Sequence, residues 1–129
     1  YTQIRFLDSG GSLINQTEYD FATLDLRSSA GSFAELQGTS QSSFPNIALT
    51  QTGADDFGLI NFYIYNPFDS SSFTFLILQA SSHGGSTPLL RGSKYIGVHK
   101  SAEQISGFRM NRSDSATMDN MTVNEYGIK

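Results

Sequence analysis

Two histidines are the side chains in this sequence best suited to proton transfer near neutral pH. His83 follows Ser81 and Ser82 in a stretch rich in glycine and serine, and His99 ends a predicted strand. A hydrolytic site needs a serine held against an oriented base, and neighbours on a loop provide no such geometry. We therefore assign no catalytic residue and predict a protein that is not an enzyme. We interpret His99 as a surface or interface imidazole.

Loop carboxylates are the residues that could hold a cation. Asp55 and Asp56 lie in one predicted turn, and Asp114 and Asp119 lie in and after another. Calcium favours such oxygen ligands, but the sequence lacks the D-x-D-x-D-G spacing of a calcium loop. The chain also has no cysteine, which excludes thiolate metal sites and disulfides. We predict no metal and no cofactor, with calcium at these turns as the alternative.

Tyrosine and asparagine are residue types that stack on sugars and hydrogen-bond to them. In this chain the relevant residues are Asn61, Tyr63, Tyr65, Asn66 and Tyr95. A row of tyrosines on one strand face equally suits a contact with another protein or with a second sheet. Glycan binding by Tyr63, Tyr65, Asn66 and His83 is therefore the alternative to a protein interface.

The elements that position these residues have a period of two. Residues 59–65 place Ile60, Phe62 and Ile64 on one face and the tyrosines on the other, which predicts a half-buried strand. Residues 73–80 form a nearly continuous apolar run, typical of a strand covered on both faces or at a subunit contact. The polar residues 66–72 join the two into a hairpin.

The hairpin supplies the predicted interface. Its candidate residues are Phe73, Phe75, Ile77, Tyr63 and Tyr65. Further strands are predicted at 2–7, 19–27, 33–37, 44–50, 94–99, 104–110 and 120–126, with a loop at 81–88. The alternation within 19–27 favours a strand over a helix. Short strands at this spacing predict an all-β fold: one antiparallel, jelly-roll-like β-sandwich domain over residues 1–129, with about eight or nine strands.

Composition narrows the functional class. Of the 129 residues 38% are hydrophobic and only 16% are charged, which excludes a disordered chain and disfavours a coiled coil. The net charge of −4 argues against nucleic acid, whose phosphates attract clustered Lys and Arg. No apolar run approaches the ~18 residues that span a bilayer. We predict neither nucleic acid nor membrane as a partner.

Residues 57–129 carry a recognisable set of motifs. These are I-Y-N-P at 64–67, I-S-G-F-R at 105–109, a polar turn, and M-T-V-N-E-Y-G-I-K at 121–129. The combination resembles a β-sandwich domain of virion structural proteins from tailed phages. Asn120 and Glu125 depart from that pattern, which usually has Gly and Leu there. Within the motif, Ile105 and Met110 are expected in the core, and Tyr126 is expected to bury its ring at the chain end.

The resemblance implies a structural role on a phage particle. The leading hypothesis is a capsid decoration (cement) protein on the outer surface of the virion, bound to the major capsid protein and associated with itself as a homotrimer. The alternative is a tail-fibre or baseplate tip domain that binds a host glycan through loops 66–72 and 81–88. A secreted bacterial adhesion module is a third possibility.

Overall fold

The chain folds into β-strands throughout the part that the computed structural model describes, residues 1–28, 33–47, 57–84, 89–113, 118 and 121–127. Seven strands and no helix are present there. They are β1 (Thr2–Leu7), β2 (Tyr19–Arg27), β3 (Ala34–Gln41), β4 (Phe57–Tyr65), β5 (Thr74–Gly84), β6 (Leu89–His99) and β7 (Gly107–Arg112). The predicted all-β class is confirmed. The described strands number seven, fewer than the eight or nine expected.

The strands form two antiparallel sheets, compatible with the predicted sandwich. A five-stranded sheet has the order β3-β2-β6-β5-β4, and a two-stranded sheet pairs β1 with β7. The predicted hairpin is confirmed: β4 and β5 pair from Tyr65 opposite Phe75 to Phe57 opposite His83. Because Thr2 lies opposite Arg112, β1 and β7 bring distant parts of the chain together.

Alternating side chains decide which face of each strand is buried. In β2 the side chains of Tyr19, Phe21 and Thr23 are buried and those between them are more exposed. This confirms a strand rather than a helix over residues 19–27, because a helix would bury positions three and four apart. In β4, Ile60, Phe62 and Ile64 pack against the core as expected.

Aromatic rings fill the space between the two sheets. The Phe6 ring of β1 packs edge-on against Phe44, with ring centroids 5.5 Å apart, and Phe44 in turn meets Tyr19 at 4.9 Å. His99 lies 4.9 Å from Tyr19 and 6.0 Å from Phe6. All four side chains are buried. Ile105 is buried and Met110 packs against this core, as expected.

Three predicted elements differ in the structure. Phe44 forms only an isolated bridge with Ile4, and residues 45–47 form no strand. The strand predicted at 44–50 is therefore wrong over residues 44–47, and residues 48–50 lie outside the described residues. Of the predicted loop 81–88, residues 81–84 continue β5 instead, because β4 pairs with 81–83 and β6 with 81–84, and residues 85–88 lie outside the described residues. Residues 121–127 lie outside any strand, and the Tyr126 side chain is 85% exposed, so its predicted burial is wrong.

Gly97 of β6 makes room for the Phe44 ring, and replacing it tests the core packing. A Cβ at Gly97 would lie 2.5 Å from Phe44 Cε1. We expect Gly97→Ala to lower the free energy of unfolding by about 1–3 kcal/mol, since the rigid ring and backbone must shift. In Gly58→Ala the new Cβ meets its nearest atoms at 3.8 Å, so stability should stay within about 0.5 kcal/mol. Urea unfolding measures both changes in free energy. Equal losses for the two variants would contradict the packing of the Phe44 ring against Gly97.

Two buried tyrosines should respond oppositely to loss of the hydroxyl. Tyr19 accepts a hydrogen bond from the Phe6 N–H at 3.1 Å and donates to the Ile14 carbonyl at 3.2 Å. Burial raises the pKa of Tyr19 to about 12. The Tyr95 hydroxyl is buried with no hydrogen-bond partner among the described residues. We expect Tyr19→Phe to cost about 1–2 kcal/mol and Tyr95→Phe to be neutral or stabilising in denaturant unfolding. A greater loss of unfolding free energy for Tyr95→Phe than for Tyr19→Phe would refute these hydrogen-bond assignments.

Candidate functional site

The outer face of the five-stranded sheet carries two apolar rows that cross β4, β5 and β6. Strand register places Tyr65 opposite Phe75 and Phe75 opposite Val98. The next row on the same face joins Tyr63, Ile77 and Ile96. We call these six residues the apolar face: Tyr63, Tyr65, Phe75, Ile77, Ile96 and Val98.

The apolar face is open to solvent in the single chain. Five of its side chains are between 41% and 57% exposed, and Val98 is partly buried. Directly opposite side chains on neighbouring antiparallel strands have Cβ atoms about 4.5–5.5 Å apart, so the two rows form one continuous patch. A contiguous apolar patch of this kind marks an interaction surface more often than isolated exposed residues do.

The sequence of β5 explains why this face is apolar. Leu76, Leu78 and Ala80 point into the core, while Phe75 and Ile77 point outward between them. The continuous apolar run therefore arises because both faces of the strand are apolar. Within the described residues only the inner face of β5 is covered, and the outward side chains of Phe75 and Ile77 are exposed. The subunit contact stays a prediction.

Polar residues border the apolar face along the strands. The next outward row is Asn61, Gln79 and Lys94. At the opposite end the β4–β5 turn exposes two more rings, Phe68 and Phe73. The apolar character therefore extends toward the turn, and the polar row interrupts it before the exposed Leu59 of β4.

A groove of about 560 Å³ adjoins the apolar face between β3, β2 and β6. Ile96 and Val98 line one side, Ala22 lies between, and the backbone around Gly38 lines the other. Asp20 also lines the groove; it pairs with the Lys100 ammonium at 2.9 Å and accepts the Ser40 N–H at 2.7 Å. Hydrogen bonds first from Lys100 and then from Ser40 hold the pKa of Asp20 below its ordinary value.

The predicted interface residues come together in space. Tyr63, Tyr65, Phe75 and Ile77 all belong to the apolar face, and Phe73 is exposed just before β5. The outward side chains of the 73–80 run and the tyrosine row thus lie on one surface, while the inward side chains of the run belong to the core. Sequence reasoning missed Ile96 and Val98. A strand is predicted at 94–99, but only the β5–β6 register places these two residues beside Phe75 and Ile77.

The predicted glycan-binding residues do not all come together. Asn66 directly follows Tyr65, and the Tyr63 and Tyr65 rings lie 6.4 Å apart, tilted by 32°. His83 pairs with Phe57 at the other end of the hairpin, which at about 3.3 Å per residue is ~26 Å from Tyr65. Tyr95 is buried and stacks on Phe21 with centroids 5.3 Å apart, so it is not available to a sugar.

His99 is buried, and its interpretation as a surface or interface imidazole is wrong. Its Nε2 atom lies 3.3 Å from Glu18 Oε2 and 3.7 Å from Glu103 Oε1. Burial lowers the pKa of His99, while the charges of Glu103 and Glu18 act in the opposite direction. The carboxylates considered for calcium, Asp55, Asp56, Asp114 and Asp119, lie outside the described residues, as does Ser86.

Comparison of the chain with protein-family models, with curated proteins and with solved structures finds no match. The resemblance of residues 57–129 to phage virion domains therefore stays a prediction. None of the described residues belongs to a helix long and apolar enough to cross a lipid bilayer.

The Asp69 carboxylate organises the turn between β4 and β5 and gives a pH-dependent prediction. It accepts hydrogen bonds from the Ser71 and Ser72 hydroxyls, at 2.6 and 2.7 Å, and from the Ser71 N–H at 2.8 Å. These bonds lower the pKa of Asp69 from 3.8 to about 2. The stabilisation they provide is therefore present above pH ~3.8 and is lost as the pH falls toward 2.

A carboxyl ¹³C titration by NMR should give a midpoint near 2 for Asp69 in the folded chain. In Ser71→Ala the midpoint should rise toward that of a free aspartate, because the largest contribution comes from the Ser71 hydroxyl. A midpoint near 3.8 in the unmodified chain would show that Asp69 does not accept the hydrogen bonds from Ser71 and Ser72.

Proposed function

We propose that the protein is a non-enzymatic structural component of a bacteriophage particle, a capsid decoration protein that associates with itself and binds the outer shell. The observation that carries the proposal is the exposed apolar face on β4, β5 and β6. Apolar surface gains about 25 cal/mol for every Å² removed from water, so such a face favours association. In the proposed homotrimer this face would be covered by neighbouring copies.

The size of the apolar face bears on how the copies meet. A standard interface buries about 800 Å² on each partner. Five half-exposed side chains and the partly buried Val98 supply less than that, so we expect the contact to reach the neighbouring rings of Phe68 and Phe73. Charged residues are rare on this face, which suits the centre of an interface. Lys94 and the Asp20–Lys100 pair lie at its margins.

The role on the virion rests on the motifs in residues 57–129 together with the surface chemistry. The chain has only 16% charged residues, a net charge of −4 and no cysteine, which fits a shell protein better than a DNA-binding one. A domain that binds the assembled shell but not its separate subunits shifts the equilibrium toward the shell by mass action. The major capsid protein is the proposed partner.

A pair of substitutions on one strand tests self-association through the apolar face. Ile77 and Gln79 lie on the same face of β5, in the apolar and polar rows respectively. In Ile77→Lys an unpaired charge would be buried in the contact, so association should weaken by about 100-fold or more. Gln79→Lys adds the same charge in the polar row, outside the apolar face, and should weaken association far less. Sedimentation equilibrium measures both.

The wild-type chain is expected to sediment as a trimer. Both variants should retain the wild-type β-sheet circular dichroism, because neither side chain belongs to the core. A monomeric wild-type chain, or an equal effect of the two substitutions, would exclude the apolar face as the self-association surface. The capsid role fails separately if the protein neither binds expanded shells nor raises their thermal tolerance.

Glycan binding is the second candidate, and the neighbouring rings of Tyr63 and Tyr65 favour it. Both rings are half exposed and lie beside Asn66 at the end of β4. In this reading the chain is a tail-fibre or baseplate tip domain. Binding to a glycan array that is lost in Tyr63→Ala and Tyr65→Ala would favour this function over the shell contact.

A further inference from the structure

A buried histidine faces two carboxylates at the end of β6, away from the apolar face. His99 is fully buried, while the side chains of Glu18 and Glu103 are each about one-third exposed. The three donor atoms lie within 4.8 Å of one another. Two acidic groups thus converge on a buried imidazole ring, each with its own side chain partly open to solvent.

The His99 ring has no hydrogen-bond partner within the described part of the chain, at either nitrogen. Nε2 is 3.3 Å from Glu18 Oε2; this contact opposes the burial that lowers the pKa of His99, but it does not meet the distance and angle of a well-formed hydrogen bond. Buried side-chain nitrogens are nearly always satisfied in folded proteins, so an unsatisfied one that faces two carboxylates calls for an explanation. A bound cation between the three groups would satisfy it.

The distances suit metal coordination. With metal–nitrogen and metal–oxygen bonds of about 2.0–2.2 Å, neighbouring ligands of a tetrahedral ion lie about 3.3–3.6 Å apart. The distances from His99 Nε2 to Glu18 and Glu103 are 3.3 and 3.7 Å. All three donor atoms lie within 4.8 Å of one another, so the partly exposed carboxylates would have to move closer together to bind one ion.

The backbone holds the three residues in place. Tyr19, the residue after Glu18, pairs with His99, and the Lys100 N–H donates to the Glu18 carbonyl at 2.8 Å. These contacts fix the backbone of Glu18 relative to that of His99. Glu103 lies in the segment after β6. That segment is anchored by buried Ile105, whose N–H donates to the Pro67 carbonyl at 2.6 Å.

Local charge also favours a cation. Two carboxylates face a histidine whose burial disfavours its protonated form. The nearest lysine in sequence, Lys100, is already engaged with Asp20 at 2.9 Å. A divalent ion would neutralise both glutamates, and solvent access past their exposed sides would let water complete the coordination.

We propose that Glu18, His99 and Glu103 bind a first-row divalent metal ion. Zn²⁺ is the ion used to test this site. One imidazole and two carboxylates form a donor set that suits Zn²⁺ and Mn²⁺ better than soft ions such as Cu(I). The ion ties the start of β2 to the segment that follows β6. This site lies outside the apolar face and does not depend on self-association.

Isothermal titration of the full chain with Zn²⁺ tests the proposal. We expect one ion per chain. Loss of outer-shell partners alone weakens metal binding by about 10–100-fold, so Glu103→Gln, which removes a direct ligand, should weaken it by at least about 10-fold. Glu35→Gln on β3 makes the same change at an exposed residue outside the cluster and should leave the affinity unchanged.

A second readout separates direct ligation from a general charge effect. On Zn²⁺ addition the ¹⁵N resonance of His99 Nε2 should shift strongly, while exposed His83 should not respond at one equivalent. Glu18→Gln should weaken binding as Glu103→Gln does. Absence of Zn²⁺ binding by the wild-type chain, or equal affinity of wild type and Glu103→Gln, would overturn the site. Neither result alters the proposed self-association.

Discussion

The fold depends on the packing of aromatic rings between a large sheet and a small one. The Phe44 ring lies against the backbone of Gly97, where a Cβ would be only 2.5 Å away, and meets Tyr19 and Phe6 edge to face. Tyr19 adds two hydrogen bonds inside the core, to Phe6 and Ile14. This contact fixes which face of the five-stranded sheet is inward. The other face, with its apolar rows, is left exposed among the residues that the structure describes.

The same alternation that builds the core therefore builds the candidate site. Leu76 and Leu78 contribute to the core because they point inward, and Phe75 and Ile77 form the apolar face because they point outward. A strand that needed only one buried face would carry polar residues at the second set of positions. The chain instead has apolar side chains on both faces of β5, which is the physical basis for expecting a partner.

Much of the fold could be predicted from local pattern. The period of two predicts β2 and β4, a continuous apolar run predicts β5, and the alternation in β4 separates Tyr63 and Tyr65 from its core-facing residues. Features that depend on register could not be predicted in this way. Ile96 joins the apolar face only because β6 pairs with β5, and His99 is buried because it packs against Tyr19. Residues 81–84 are polar and give no strand signal, yet two neighbouring strands pair with them.

The central claim is that the apolar face is covered in the working form of the protein. Hydroxyl-radical footprinting across a dilution series tests it directly, with Tyr126, 85% exposed and remote in sequence from the sheet, as the internal standard. We predict that oxidation of Tyr63, Tyr65 and Phe75 relative to Tyr126 falls as the protein concentration rises and the copies associate. A ratio that stays constant at all concentrations would contradict self-association through this face.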